Sequence, residues 1–362
     1  MKYVLGGGEP EPAHTLFFAT TSYQILLAHL LAQDRNICPE KSVLLVKRRL
    51  GNQIYSLFDA LSGDGSIPFE QLFLLDRPKA YKRHQRAWSD RRRRADLRGL
   101  IDQINPSQLF IFNEDPLDQD AARRVKASGG RVFAVEDGAI AYADTERTIT
   151  LGEGLKDKFF FGPRTRRTTV EGSSPLVDAV YAVYPGQLRR ELRHKPAYKI
   201  PGTSAASFQD LRWPGLYLQR LGLDIERIRC DCLFMLARSN NFRGLTDYSE
   251  RMIAALEHPW TAHGHHAIKY HPNEKRRDLL NAENLGFSVI DNAVPAELIY
   301  LAAGDRLRAV VGDIGTSLLS ARWLLPGVRA VSLMRYLNFN DPSFAHTLRQ
   351  IDVELPAELP RV

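Results

Sequence analysis

The feature that most constrains this chain is a repeated alternation. Short apolar runs are each followed by an amphipathic segment, and they come in two trains. In the first, "LFFATTSYQILLAHLLAQ" (16–33) reads as strand, turn and helix. "KSVLLVKR" (41–48), "QLFLLD" (71–76), "SQLFIFNED" (107–115) and "RVFAVEDG" (131–138) read as further strands. Between them, "NQIYSLFDALSG" (52–63), the basic run at 81–100 and "DQDAARRVKASGG" (118–130) carry helical spacing, the last with a glycine stop. The second train begins at "DCLFMLARSN" (231–240) and continues through "HAIKYHP" (266–272), "LGFSVID" (285–291), "RAVVGDIG" (308–315) and "VRAVSL" (328–333). Helical segments intervene at "TDYSERMIAALEH", "PAELIYLAA" and "TSLLSARWLL". Strands alternating with helices predict parallel, doubly wound α/β sheets, whose ligands sit at the carboxyl ends of the strands.

The stretch 139–215 is less regular and rich in Pro, Gly, Lys and Arg. Its later part reads as the connection between two domains. The expected organisation is a first Rossmann-like domain over 1–205 and a second over 216–340. A tail at 341–362 is a candidate to pack back on the first domain. Two such domains in succession suggest one nucleotide cleft between them.

At 362 residues, with 44% hydrophobic and 25% charged content, the chain has enough apolar material for two cores. No run approaches the ~18 to 20 apolar residues of a membrane-spanning helix. The opening "MKYVLGGGEPEPAH" has too short an apolar run for a secretory signal. Its glycines do not form G-x-G-x-x-G. The three cysteines (Cys38, Cys230, Cys232) lack ligand-like spacing and fit buried thiols in a reducing cytoplasm. A net charge of +7 favours anionic partners without choosing among them. The densest run, "YKRHQRAWSDRRRRADLRGL" (81–100), reads either as a solvated helix face or as a patch for membrane headgroups or an anionic acceptor. No zinc-finger, helix-turn-helix or RNP signature is present, so nucleic acid is not an expected partner.

Three groups of residues lie where an apolar run stops. Glu136 and Asp137 precede Gly138; on a strand one acid can face a cleft while the other turns away, and a carboxylate there can accept a proton from a hydroxyl. The bland alternative is a polar strand end with a turn glycine. Lys269 and His271 precede Pro272, which restricts the histidine to extended geometry. An imidazole so held can donate to a leaving phosphate, or can be an ordinary edge histidine. Gly315, Thr316 and Ser317 lie at a strand-to-helix junction, which suits anion binding and equally suits N-capping by either hydroxyl. Glu297 is either a first-turn acid or a ligand for sugar hydroxyls. His263, His265 and His266 lack metal-ligand spacing, and the Asp118–Asp120 triplet begins an amphipathic helix, so no metal site is expected.

Taken in order, these motifs resemble the bacterial sialyltransferases and polysialyltransferases that use CMP-sialic acid. That group is marked by an acidic pair before glycine, a His-Pro pair and a Ser/Thr-Ser pair. Here they stand as Glu136-Asp137-Gly138, His271-Pro272 and Thr316-Ser317, with "KYHP", "PAELIYL" and "ATTSYQILLAHLLA" as supporting matches. The resemblance spans about residues 15 to 330. It implies a GT-B architecture, two Rossmann-like domains facing a central cleft, and inverting transfer with no obligatory metal or other cofactor. It implies Glu136 as general base with Asp137 in support, and His271 as donor to the CMP phosphate. Thr316 and Ser317 would hold that phosphate, with Gly315 and Pro272 shaping the pocket, Glu297 on the ribose and Lys269 beside the nucleotide. The implied partners are a CMP-sugar donor and a glycan acceptor of capsule or lipooligosaccharide type. The expected location is cytoplasmic, with peripheral contact at an anionic inner membrane. Kdo, legionaminic or pseudaminic acid could replace sialic acid on the same nucleotide. A nucleotide-sugar epimerase of the same fold and a non-enzymatic polyanion-binding protein are the other readings.

Overall fold

A computed structural model describes residues 4–5, 15–34, 36–38, 41–47, 54–76, 83–143, 149–162, 165–166, 168–200, 211–223, 228–242, 244–260 and 264–359. The glycine run at 6–12, His263 and the expected connection at 201–210 lie outside them. The chain divides into two compact units. One comprises Met1–Ala141 and Thr145–Pro201, the other Tyr142–Asp144 and Gly202–Val362.

The first unit holds an eight-stranded sheet. Its strands are β1 (Val4–Leu5), β2 (Thr15–Ala19), β3 (Ser42–Lys47), β4 (Gln71–Leu75), β5 (Gln108–Ile111), β6 (Arg131–Val135), β7 (Ala179–Ala182) and β8 (Ala197–Lys199). The order is β1-β4-β3-β2-β5-β6-β7-β8, parallel throughout except that β1 runs antiparallel to β4. β2, β3 and β4 are buried at every position, as parallel strands covered on both faces must be. This explains why they read as unbroken apolar runs. Aromatic rings continue the core sideways: Phe17 stacks on Phe110 at 4.7 Å, Phe110 lies 4.9 Å from Phe133, and Phe133 meets Tyr181 edge-on at 5.6 Å.

The crossover helices are α1 (Ser22–Gln33), α2 (Ile54–Ser62), α3 (Arg83–Ile104) and α4 (Pro116–Ala127), followed by α5 (Leu151–Phe161). α4 starts as its sequence directs: Asp115 caps the amides of Leu117 and Asp118, Asp118 returns the bond, and Pro116 fills the first turn. The Asp118–Asp120 triplet is consumed by cations. Asp118 pairs with the buried Lys47, and Asp120 accepts from Arg94 and Arg98, each at 2.7 Å.

The second unit holds five parallel strands, β9 (Cys232–Met235), β10 (His266–Lys269), β11 (Ser288–Ile290), β12 (Ala309–Gly312) and β13 (Arg329–Ser332), in the order β11-β10-β9-β12-β13. Read by chain position, this is the doubly wound 3-2-1-4-5 arrangement, with the reversal of direction at β9 and β12. Its helices are α6 (Arg212–Arg220), α7 (Tyr248–Glu257), α8 (Ala296–Ala303), α9 (Thr316–Leu324) and α10 (Pro342–Gln350).

The tail at 341–362, a candidate to pack back on the first domain, falls in the second unit. Glu354 donates its amide to Ala330 at 2.9 Å, accepts from the Ser332 amide at 2.8 Å and pairs with Arg329, thereby covering the β13 edge. β7 and β8 form within the irregular stretch after 139 and extend the first sheet.

Candidate functional site

At the carboxyl edge of the first sheet, the chain leaves β6 directly into Glu136, Asp137 and Gly138. Glu136 is 4% exposed. Its Oε1 accepts from the Tyr23 hydroxyl at 2.6 Å and its Oε2 from the Val183 amide at 2.9 Å. Tyr23 is held in the first turn of α1, which Thr21 caps, and Val183 follows β7. One carboxylate therefore ties the exits of β6 and β7 to the start of α1. Burial pushes the Glu136 carboxyl up to about 7, against the two donors and with a small further push from the Asp137 charge. Asp137 itself is half-buried. Gly138, at φ +76°, turns the chain into the 3-10 turn Gly138–Ala141. The acid pair is thus divided by burial: the first member is sealed and fully hydrogen-bonded, the second reaches the surface.

In the second sheet, Lys269 of β10 and Gly312 of β12 both stand opposite Met235 of β9. The three strands end level. The loops carrying His271, Ala237-Arg238 and Asp313–Ser317 therefore leave from one edge, at roughly 5 Å lateral steps per strand. β10 stops at Lys269, and His271 opens a turn in which the Glu274 amide donates to the His271 carbonyl at 2.8 Å. Its Nδ1 accepts from the Asn273 amide at 3.0 Å, which places the proton of the neutral ring on Nε2. Burial, then the charges of Lys269 and Arg238, lower the pKa of this imidazole. The result is a half-buried N–H donor; Pro272 beside it is exposed. Lys269 is 4% exposed, donates to the Tyr270 carbonyl at 3.1 Å, and is brought down to about 8 by burial, with Glu297 and Asp291 opposing. Glu297 is buried in the first turn of α8.

Gly315 is the N-cap of α9, at φ +132°, with no side-chain cap bond. Thr316 and Ser317 lie inside the first turn. The helix start is therefore capped by glycine and not by either of those two hydroxyls. The Tyr300 hydroxyl of α8 donates to the Ser317 carbonyl at 2.8 Å and locks this turn to α8.

Asp313 is a residue that sequence reasoning missed. It is fully buried and accepts from the amides of Ala237 at 2.9 Å and Ile314 at 2.6 Å and from the Tyr248 hydroxyl at 2.9 Å. It joins the exits of β9 and β12 and so fixes the path into Gly315. Burial lifts it to about 6 in spite of these donors. The available signal was a lone acid closing an apolar strand, "AVVGD". No group of three or more His, Cys, Asp or Glu able to hold a metal occurs among the described residues. His265 is engaged with the Arg229 carbonyl and Ser288.

Two units, each a sheet of parallel strands with helices, give the chain the GT-B type of α/β fold. Among solved structures, the chain is similar to an α/β-galactoside α-2,3-sialyltransferase from Photobacterium phosphoreum, with TM-score 0.55, 11% identity, and 95% of this chain and 98% of that chain covered. It is equally similar to the UDP-GlcNAc 2-epimerase of Neisseria meningitidis bound to UDP-GlcNAc, with TM-score 0.55, 12% identity and coverage of 95% and 87%. The Methanocaldococcus jannaschii UDP-GlcNAc 2-epimerase in complex with UDP-GlcNAc and UDP gives 0.55, 10%, 95% and 89%. At these identities the likeness is one of fold. No protein-family model matches the chain, and no curated protein sequence matches it.

Proposed function

We propose that this protein is an inverting glycosyltransferase that moves sialic acid from CMP to a hydroxyl of a capsule- or lipooligosaccharide-type glycan. The observation that carries this reading is the donor set on one edge of the second sheet. His271 has its proton on Nε2, and Gly315, Thr316 and Ser317 open α9 with glycine at the cap. A CMP-linked 2-keto sugar acid reacts when the bond between its anomeric carbon and the phosphate oxygen breaks. The electron pair leaves with the phosphate, whose charge His271 and the α9 amides stabilise. A bound phosphate also raises the imidazole's proton affinity, so His271 holds its proton more firmly as the nucleotide departs. The acceptor oxygen bonds to the opposite face of the anomeric carbon, inverting it, and gives its proton to the acid pair. Because Glu136 is sealed, Asp137 is the member that meets the hydroxyl, with Glu136 fixing its position. The resemblance alone had given Glu136 the base. Lys269 and Glu297 serve the nucleotide, Glu297 through the ribose hydroxyls.

The test is thermal stabilisation by CMP, UMP and AMP in EDTA, followed by incubation with CMP-activated acid sugars and oligosaccharide acceptors read by mass spectrometry. Selective stabilisation by CMP and a mass gain on the acceptor are expected. Kdo, legionaminic and pseudaminic acid donors test the sugar. A second reading, a UDP-GlcNAc 2-epimerase, is favoured by the equal fold likeness to those enzymes. It predicts stabilisation by UMP and UDP in place of CMP, and conversion of UDP-GlcNAc without an acceptor.

A further inference from the structure

The chain pins the start of β10 at several points. The Asp231 carboxylate accepts from the His265 amide at 2.8 Å. Gly264, at φ +142°, makes room for it, because a Cβ there would stand 2.6 Å from the Asp231 carboxyl carbon. With the backbone so fixed, the His265 ring is held at both nitrogens. Nδ1 lies 2.7 Å from the Arg229 carbonyl and Nε2 lies 2.6 Å from the Ser288 hydroxyl of β11. A carbonyl only accepts, so the neutral ring carries its proton on Nδ1, the reverse of His271. The Nε2 lone pair then receives the Ser288 O–H. The backbone register already joins β10 to β11, so this bond is not needed to pair the strands. Ser288 and His265 are both half-buried, and both line a pocket of about 890 Å³ beside β11, the edge strand. Leu223, Ile228 and Val289 supply apolar wall, and the exposed Arg277, paired with Glu283 at 2.9 Å, supplies a cation. His265 precedes β10 and Lys269 closes it, so the Ser288–His265 pair stands at the other end of the strand from His271.

We propose that Ser288 and His265 are the nucleophile and general base of a second site, which hydrolyses carboxylic esters with a short apolar acyl group. Such a site needs a hydroxyl within hydrogen-bond reach of a base nitrogen, a third group that fixes the tautomer, and a cavity for the substrate. His265 takes the Ser288 proton on Nε2 as Oγ bonds to the ester carbonyl carbon. The charge that develops on the carbonyl oxygen meets the Arg277 guanidinium. When the bond from that carbon to the alcohol oxygen breaks, the alcohol leaves with the proton from His265. Water then adds to the acyl carbon and gives a proton to His265, and the acid departs as Ser288 regains its hydrogen from the imidazole. One ester and one water are consumed, and one acid and one alcohol are released. The acyl group lies against Leu223, Ile228 and Val289. None of these residues serves the reaction assigned to the donor edge, so the two sites stand or fall separately.

The experiment treats the full-length protein with a fluorophosphonate, which phosphonylates an activated serine, and maps the adduct by peptide mass spectrometry. Hydrolysis of p-nitrophenyl acetate and p-nitrophenyl butyrate is followed in parallel. The expected results are an adduct on Ser288, release of p-nitrophenol well above the buffer rate, and loss of that release after labelling. Ser288→Ala should bring release down to the buffer rate, and His265→Gln should lower it by roughly 10²-fold or more. The absence of an adduct on Ser288 overturns the inference, and so does release that Ser288→Ala leaves unchanged. Labelling is read on the wild type, so it decides the question even where a variant unfolds. If Ser288→Ala melts well below the wild type while the wild type neither labels nor hydrolyses, the pair is a strand staple only.

Discussion

The carboxyl edges of the two sheets follow one plan with opposite chemistry. Each places a buried acid just past a strand, Glu136 after β6 and Asp313 after β12, and each acid ties neighbouring loop exits together. Burial lifts both, Glu136 to about 7 and Asp313 to about 6. The two rises are comparable, from 4.5 and from 3.8, although Glu136 has one hydroxyl and one amide while Asp313 has a hydroxyl and the amides of both Ala237 and Ile314. Each added N–H stabilises the charged form and offsets part of the desolvation. What reaches the surface beside the anchor then differs. Next to Glu136 it is a carboxylate, Asp137; next to Asp313 it is a glycine-capped helix start. The first edge is suited to take a proton and the second to hold an anion.

The sharpest way to break this comparison is to exchange anchor and neighbour at the first edge. Asp137→Asn should lower transfer by roughly 10²- to 10⁴-fold, the usual scale for a general base, with stabilisation by CMP unchanged. Glu136→Gln keeps an acceptor for Tyr23 and should cost about tenfold or less, together with some stability. Turnover of CMP-sugar by the purified variants decides it. If Glu136→Gln abolishes transfer and Asp137→Asn spares it, the buried acid is the base and the division by burial is wrong.

At the second edge the anchor should matter more for folding. Asp313→Ala strands two half-buried amides and a buried hydroxyl, and should lower stability by about 3 kcal/mol in urea unfolding. Asp313→Asn retains an acceptor and should lose less. His271→Ala, on the exposed side of the same edge, should leave stability unchanged while reducing transfer and CMP affinity by roughly 10- to 100-fold. A variant at His271 that unfolds as readily as Asp313→Ala would show the histidine to be a structural edge residue after all.

These contrasts also mark what the chain makes legible. β2 to β6 and β9 to β13 announce themselves because strands of a parallel sheet are covered on both faces and read as apolar runs. β7, Ala179–Ala182, is buried at all four positions but is short and set amid prolines and glycines, whereas β8, Ala197–Lys199, is exposed at all three and carries no burial signal. The candidate residues were found because each closes an apolar run, a local feature. Their states were not readable. The seal on Glu136 comes from Tyr23, 113 positions away, and from the backbone of Val183. Asp313 looked like any polar strand end, because its role lies in amides of other loops. The glycine cap of α9 depends on Gly315 at φ +132°, which "GTS" permits but does not require.

The smallest effect is the most diagnostic of the anchors. Glu136 is raised from 4.5 to about 7, so between those values the folded protein holds a proton that the unfolded chain has released. Stability therefore falls as pH rises through that window, and the cost is complete above it. Asp313 acts in the same direction between 3.8 and about 6. His29 opposes them. Burial lowers it from 6.5 to about 4, only partly countered by Asp64, and its ring nitrogens have no hydrogen-bond partner among the described residues. In that window the unfolded chain binds the extra proton and stability rises with pH. Below pH 6.5 the three trends overlap; above it Glu136 alone of the three still titrates. The melting temperature of Glu136→Gln minus that of the wild type should thus climb between about pH 4.5 and 7, by a few degrees at most, and level off above. The same difference for Asp313→Asn should move only at lower pH. A flat Glu136→Gln difference from about pH 4.5 to 7 would mean that the carboxylate is solvated well enough to stay ionised. The sealed anchor would then have no more claim to a purely structural role than Asp137 beside it.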